Sequence, residues 1–303
     1  MTLTAKQKQY LKVMEKVTFL FSLLLLVSLN PIKAQLIDVT IEDIRFESEG
    51  VTLAGTIYTP LYSHAAVVLV HGSDQTPRMS KFALFLAENG ILVLTYDKRG
   101  VGESGGIYVG PEVGTNNIDS VNLTLLAEDA NAAINVLLQL EKNVPIGLVG
   151  FSQAGWIIPI AANKNLLVDF IVLFSGSVVP TLEQLRFQFF TAGNPDFWDS
   201  HSEAEVREHI CNDADRYQFT NTDPYDALST LSIPGLWLFG SKDIQVPVGL
   251  SIERLNALKA QGKPYEYCLF STLGHNTAFS DSTESVNIAI HWIKHMKNKA
   301  SNN

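Results

Sequence analysis

Three chemistry-bearing residues stand at turns that each follow an apolar run. They are Ser152 in Gly150-Phe151-Ser152-Gln153-Ala154-Gly155, Asp243 in Gly240-Ser241-Lys242-Asp243, and His275 in Leu273-Gly274-His275-Asn276. A serine hydroxyl is a poor nucleophile until a base removes its proton, so Ser152 requires a histidine, and the histidine requires a carboxylate to orient it. The order Ser152, Asp243, His275 supplies both, each just beyond the carboxyl end of a strand, where three turns can converge at one sheet edge. There His275 would take the Ser152 proton as attack begins and return it to the leaving group, while Asp243 fixes the imidazole tautomer. Taken singly, Asp243 is an ordinary turn residue and a Gly-His pair is a weak signal. The joint order carries the expectation. The small residues around Ser152 fit a sharp strand-to-helix turn whose strained backbone tolerates no bulky neighbours. Negative charge on a tetrahedral intermediate needs donors, and the expected pair is the backbone N–H of Gln153 and that of Ser73, in His71-Gly72-Ser73-Asp74. The remaining histidines compete poorly. His291 and His295 share a helix face at i, i+4 but lack the acidic partner of a metalloprotease pattern. Neither a metal nor a cofactor is expected.

Positioning those turns is the work of alternating strands and helices. Val39 to Phe46 and Val51 to Tyr58 read as a hairpin around Ser48-Glu49-Gly50. Continuous apolar strands follow at 65–70, 91–96, 146–151, 170–174 and 236–239, with a further strand at 265–270. Helical periods run over 81–89, 123–140, from Gln153 onward, over 248–261 and over 284–297. Such alternation predicts an α/β fold: a mostly parallel sheet covered on both faces, with an antiparallel N-terminal hairpin at its edge. Residues 181–230 break the rhythm, holding ten acidic residues against three arginines and no convincing strand. An insertion at a sheet's carboxyl edge is where a helical cap over a site is expected. Its aromatics, Phe187, Phe189, Phe190, Phe197, Trp198, Tyr217, Phe219 and Tyr225, would partly fasten it to the body and partly suggest an apolar substrate group.

The N-terminus stands apart from this fold. Lys6, Lys8, Lys12 and Lys16 precede the 13-residue apolar run Val17 to Leu29 and a small residue, Ala34, suited to cleavage. Spanning a bilayer takes roughly 20 residues, so residues 1–34 read as a cleavable signal peptide and 35–303 as the hydrolytic domain, exported to the periplasm or beyond. An uncleaved membrane anchor is the alternative. Losing five Lys and one Glu with that segment turns 22 basic and 31 acidic residues into 17 and 30, a net charge of −13. That charge repels nucleic acid and anionic membrane, so neither is expected as a partner. Cys211 and Cys268 lie in a chain bound for an oxidising compartment, yet nothing in the sequence places them together.

With these motifs in place the chain resembles the α/β-hydrolases over nearly all of its length after residue 34. Tyr96-Asp97-Lys98-Arg99-Gly100-Val101-Gly102-Glu103-Ser104 is similar to the family's Asp-x-Arg-Gly-x-Gly-x-Ser loop, and Gln153-Ala154-Gly155-Trp156 and Asp243-Ile244-Gln245-Val246-Pro247 are similar to bacterial esterases and aminopeptidase-like serine hydrolases. The resemblance implies a scaffolding role for the Asp97–Ser104 loop. Two departures are visible: Ala154 stands at a usual glycine, and Asp74 puts a carboxylate near the expected oxyanion hole. The leading expectation is hydrolysis of a small carboxylic ester through an acyl-enzyme. An aminopeptidase acting on short peptides is the alternative, requiring a cap carboxylate such as Glu183 or Asp223 to face Ser152. A non-catalytic binding protein on the same scaffold is a third reading, which the intact Ser, Asp and His set opposes.

Overall fold

A computed structural model describes residues 38–108, 122–141, 143–215 and 220–296. The expected signal segment 1–34, the cap aromatics Tyr217 and Phe219, and the end of the last expected helix lie outside the described residues. Strands β1 (Val39–Ser48) and β2 (Val51–Pro60) form the hairpin, with Ser48 paired to Val51. Glu49 and Gly50 both take positive φ, 47° and 72°, the two-residue turn whose twist matches that of the flanking strands.

From there the sheet runs β1-β2-β4-β3-β5-β6-β7-β8, with β3 at Ala65–Val70, β4 at Ile91–Tyr96, β5 at Ile146–Phe151, β6 at Phe170–Phe174, β7 at Gly235–Gly240 and β8 at Tyr265–Phe270. β2 pairs antiparallel with β4, and all later pairings are parallel. Every residue of β3 through β7 is buried, which is why those strands are apolar on both faces. Helices α1 (Ser80–Glu88) and α9 (Glu284–Lys294) cover one face through Phe82, Leu86, Val286 and Ile290. On the opposite face lie α2 (Asn122–Leu140), α3 (Ala154–Lys164), α7 (Pro224–Thr230) and α8 (Val248–Ala260), through Ile134, Ile157, Leu228 and Leu255.

Between β6 and α7 the chain forms α4 (Thr181–Thr191), α5 (Phe197–Ser200) and α6 (Glu203–Asn212), with no strand among the described residues. These helices have a small core of their own, built on Phe187, Phe197, Val206 and Ile210. Ser202 starts α6 with a reciprocal capping box to Glu205. α7, by contrast, inserts Leu228 into the core of the body. Cys211 and Cys268 are free thiols. Among the described residues no helix is long and apolar enough to cross a membrane.

Candidate active site

Ser152 sits between β5 and α3 with φ +50°, a left-handed conformation costly for any residue bearing a Cβ. Two glycines make room for it. A Cβ on Gly150 would fall 2.4 Å from the Ala154 methyl, and one on Gly155 would fall 2.4 Å from the Ser177 nitrogen. The Ala154 methyl is fully buried against Gly150, so this pair has room for one side chain only. The Ser152 N–H donates to the Phe174 carbonyl at 3.0 Å, tying the turn to β6.

Asp243 and His275 meet as the sequence order anticipated. His275 Nδ1 donates to Asp243 Oδ2 at 2.8 Å, the tautomer in which Nε2, on the other side of the ring, carries the lone pair a base needs. Asp243 is buried, and its Oδ1 accepts from the N–H groups of Gln245 and Val246 at 2.7 and 2.9 Å. The carboxylate is therefore held by the turn that presents it. Ser152 and His275 line one cavity of about 560 Å³. No hydrogen bond joins Ser152 Oγ to His275 among the described residues; bonds of this kind often tighten only around substrate. Ser73 and Gln153 border a smaller cavity of about 40 Å³ that also contains Ser152. Neither of their backbone N–H groups donates to another group among the described residues, so both have capacity to donate.

Several site residues carried no sequence signal. Ser175, at the end of β6, also has φ +50°, and its hydroxyl donates to the His275 carbonyl at 2.5 Å. Thr277 adds its N–H to the same carbonyl at 2.9 Å, so the loop bearing the base is pinned from two sides. The apolar wall beside Ser152 was expected from the cap and comes instead from the body: Phe82, Phe151, Phe174 and Phe279. These rings contact one another, with Phe151 stacked on Phe174 at 5.6 Å and Phe279 at 5.1 Å from Phe151. The cap's Phe187 and Phe197 are consumed in its own core, and Phe190 stacks on His209 at 3.6 Å. Trp198 is the exception that reaches the site. Its indole N–H donates to the Asp243 carbonyl at 2.8 Å.

The cap carboxylates point elsewhere. Asp223 caps α7 and pairs with Arg254 at 2.5 Å. Burial raises the Glu183 carboxyl despite nearby Arg254, and neither residue lines a cavity with Ser152. Asp74 does line the larger cavity, together with Lys81.

Beneath the site the Asp97–Ser104 loop is a polar clamp. Asp97 receives the Arg78 guanidinium and the Glu103 N–H; although burial opposes it, these bonds hold its carboxyl below the usual range. The Ser104 hydroxyl donates to the Asp97 carbonyl, and buried Arg99 pairs with Asp129 at 2.5 Å. Among the described residues no cluster of three or more metal-ligating side chains occurs.

Residues 62–225, more than half of the chain, match the sequence profile of the family described as serine aminopeptidase, S33. An esterase of Pyrococcus furiosus shares the fold with TM-score 0.61 at 18% identity, over 84% of this chain and 90% of its own. An acylaminoacyl peptidase of Pyrococcus horikoshii aligns with TM-score 0.62 at 16% identity, over 88% of this chain but 43% of its own. An α/β hydrolase from a Penicillium species aligns with TM-score 0.59 at 17% identity, over 84% of this chain and 98% of its own. No curated protein sequence matches the chain.

Proposed function

The chain belongs to the serine aminopeptidase family S33 of α/β-hydrolases, and on that premise we propose that it is an exported serine hydrolase that cleaves small carboxylic esters. Ser152 Oγ attacks the carbonyl carbon as His275 Nε2 takes its proton. The tetrahedral oxyanion is held by the N–H groups of Ser73 and Gln153. The alcohol leaves with the proton returned by His275, and a water activated by the same imidazole releases the acid from Ser152. Asp243 keeps the imidazole in the tautomer this requires.

The observation that carries the ester reading is the cavity wall beside Ser152. Four phenylalanines border it, no cap carboxylate does, and the Asp74 carboxylate there is accompanied by Lys81, so it suits an uncharged acyl or aryl group better than an ammonium. The family description favours the second reading, an aminopeptidase, but neither Glu183 nor Asp223, the residues expected to hold a peptide's N-terminus, lines the cavity, and Asp223 is paired with Arg254. Parallel assays on a short-acyl nitrophenyl ester and an aminoacyl naphthylamide separate the two. The expected result is ester turnover that exceeds amide turnover by about a hundredfold or more. Ser152→Ala should fold normally and lose fluorophosphonate labelling, and turnover above about one-thousandth of wild type would count against Ser152 as the nucleophile. Export rests on the basic and apolar pattern of residues 1–34. N-terminal sequencing of protein recovered from outside the cytoplasm should begin at or near Gln35, and an intact N-terminus there would count against cleavage.

A further inference from the structure

Directly behind the Ser73 donor lies a buried cation. Lys98 is 3% exposed, and its Nζ donates to the Gly72 carbonyl at 2.5 Å and to the Gln153 side-chain Oε1 at 3.2 Å. The Gly72 carbonyl and the Ser73 N–H belong to the same peptide group. A trans peptide is planar and its C=O and N–H point in opposite directions, so a partner that fixes the carbonyl also fixes the N–H. The next carbonyl is held in the same way. Tyr108 Oη donates to Ser73 O at 2.5 Å, and the Lys98 ammonium lies 5.7 Å from the centroid of the Tyr108 ring. Gly100 permits this return of the chain, since a Cβ there would fall 2.0 Å from the Tyr108 nitrogen. Two successive carbonyls of this turn are thus held by Lys98 and Tyr108, and the side chain of the second expected donor, Gln153, accepts from the same lysine.

We propose that Lys98 is a positioning residue for the oxyanion hole: by donating to the Gly72 carbonyl it aims and polarises the Ser73 N–H, and its charge favours the negative oxygen of the transition state. The inference rests on the serine-hydrolase reading above. A fixed, pre-oriented donor acts on charge that develops in the transition state, so its effect falls on kcat more than on substrate binding. It also predicts a pH dependence. The groups facing the ammonium are Asp74 from the oxyanion turn, His71 at the end of β3, Tyr108 and the neutral Gln153 amide. Burial lowers Lys98 to about 8, with the Asp74 charge opposing the fall, and the same burial keeps His71 neutral. The cation is therefore present at neutral pH and lost as the pH rises through about 8, taking its contribution to kcat with it.

The test uses the purified full-length protein, a short-acyl nitrophenyl ester and a fluorophosphonate, with kcat and KM measured from pH 6 to 10. Lys98→Met should lower kcat by about ten- to a hundredfold with KM changed less than about threefold, and should abolish the alkaline limb near pH 8. Asp74→Asn, an exposed substitution that leaves the core intact, should move that limb to lower pH, because it removes the charge that supports the ammonium. The second variant keeps the proposal open to refutation if Lys98→Met fails to fold. A kcat profile unaltered by Asp74→Asn, or a folded Lys98→Met with wild-type kcat and alkaline limb, overturns the role of Lys98. A wild-type protein that the fluorophosphonate does not label overturns the serine-hydrolase reading instead.

Discussion

At the scale of single residues the candidate site depends on backbone carbonyls held from behind. Asp243 orients the His275 ring, but Ser175 orients the His275 backbone, through a hydroxyl bond at 2.5 Å made from a left-handed conformation. A non-glycine residue at positive φ costs about 1 kcal/mol or more, and the bond to the carbonyl is what this strain secures. Two substitutions separate the terms. Ser175→Ala removes the bond and keeps the strain, whereas Ser175→Gly removes both. Both variants should lose about five- to thirtyfold in kcat, the equivalent of one hydrogen bond of about 1–2 kcal/mol, with KM little changed. Chemical denaturation should find the glycine variant more stable than the alanine variant by several tenths of a kcal/mol or more. A glycine variant with wild-type kcat would mean that the hydroxyl does not position the base.

The secondary-structure elements divide into those a local pattern specifies and those only the tertiary fold specifies. β3, β4, β5 and β6 occupy the segments their apolar runs mark, because a strand buried on both faces must be apolar throughout, and Gly or polar turns close each one. Ser152, Asp243 and His275 are legible because each stands within five residues of the carboxyl end of a parallel strand, so chain order puts them at one edge. The aromatic wall was not legible. Phe82 comes from α1, Phe151 from β5, Phe174 from β6 and Phe279 from the loop before α9, so no window of sequence contains the cluster. The cap's aromatics, close together in the chain, drew attention away from them, yet three short helices need apolar side chains for their own core before any can be spared for a substrate. Lys98 was hidden by its type. A lysine after a strand is ordinarily solvated, whereas Lys98 is buried, with the Tyr108 ring brought to 5.7 Å from its ammonium by a return of the chain over Gly100.

For the molecule as a whole, the buried bases beside the oxyanion turn link the geometry of the site to stability. His71 is fully buried, its Nε2 has no partner among the described residues, and it packs edge-on against Tyr96 at 5.3 Å. Burial first, and the Lys98 charge second, lower its pKa from 6.5 to about 3, against a hydrogen bond to the Pro77 backbone. The folded value lies below the unfolded one, so the unfolded chain binds the extra proton as the medium is acidified. Stability is then fully present above about pH 6.5 and drains away as the pH falls towards 3. Over the upper part of that window, from pH 7 to pH 5, the loss amounts to about 2 kcal/mol at 1.36 kcal/mol for each pH unit below the unfolded pKa. Glu183 and Glu203, raised mainly by burial, work in the opposite sense, whereas Asp97, held low despite its burial, contributes only in stronger acid. The decisive quantity is accordingly a difference between two proteins. His71→Leu gives up the Pro77 bond and so loses stability at every pH, but it has no proton to gain. Urea denaturation at pH 7, 6 and 5 should show wild type losing about 2 kcal/mol more than His71→Leu across the range. Parallel losses in the two proteins would mean that His71 is not held neutral by the fold, and that the base beneath the oxyanion turn is less sequestered from water than its burial implies.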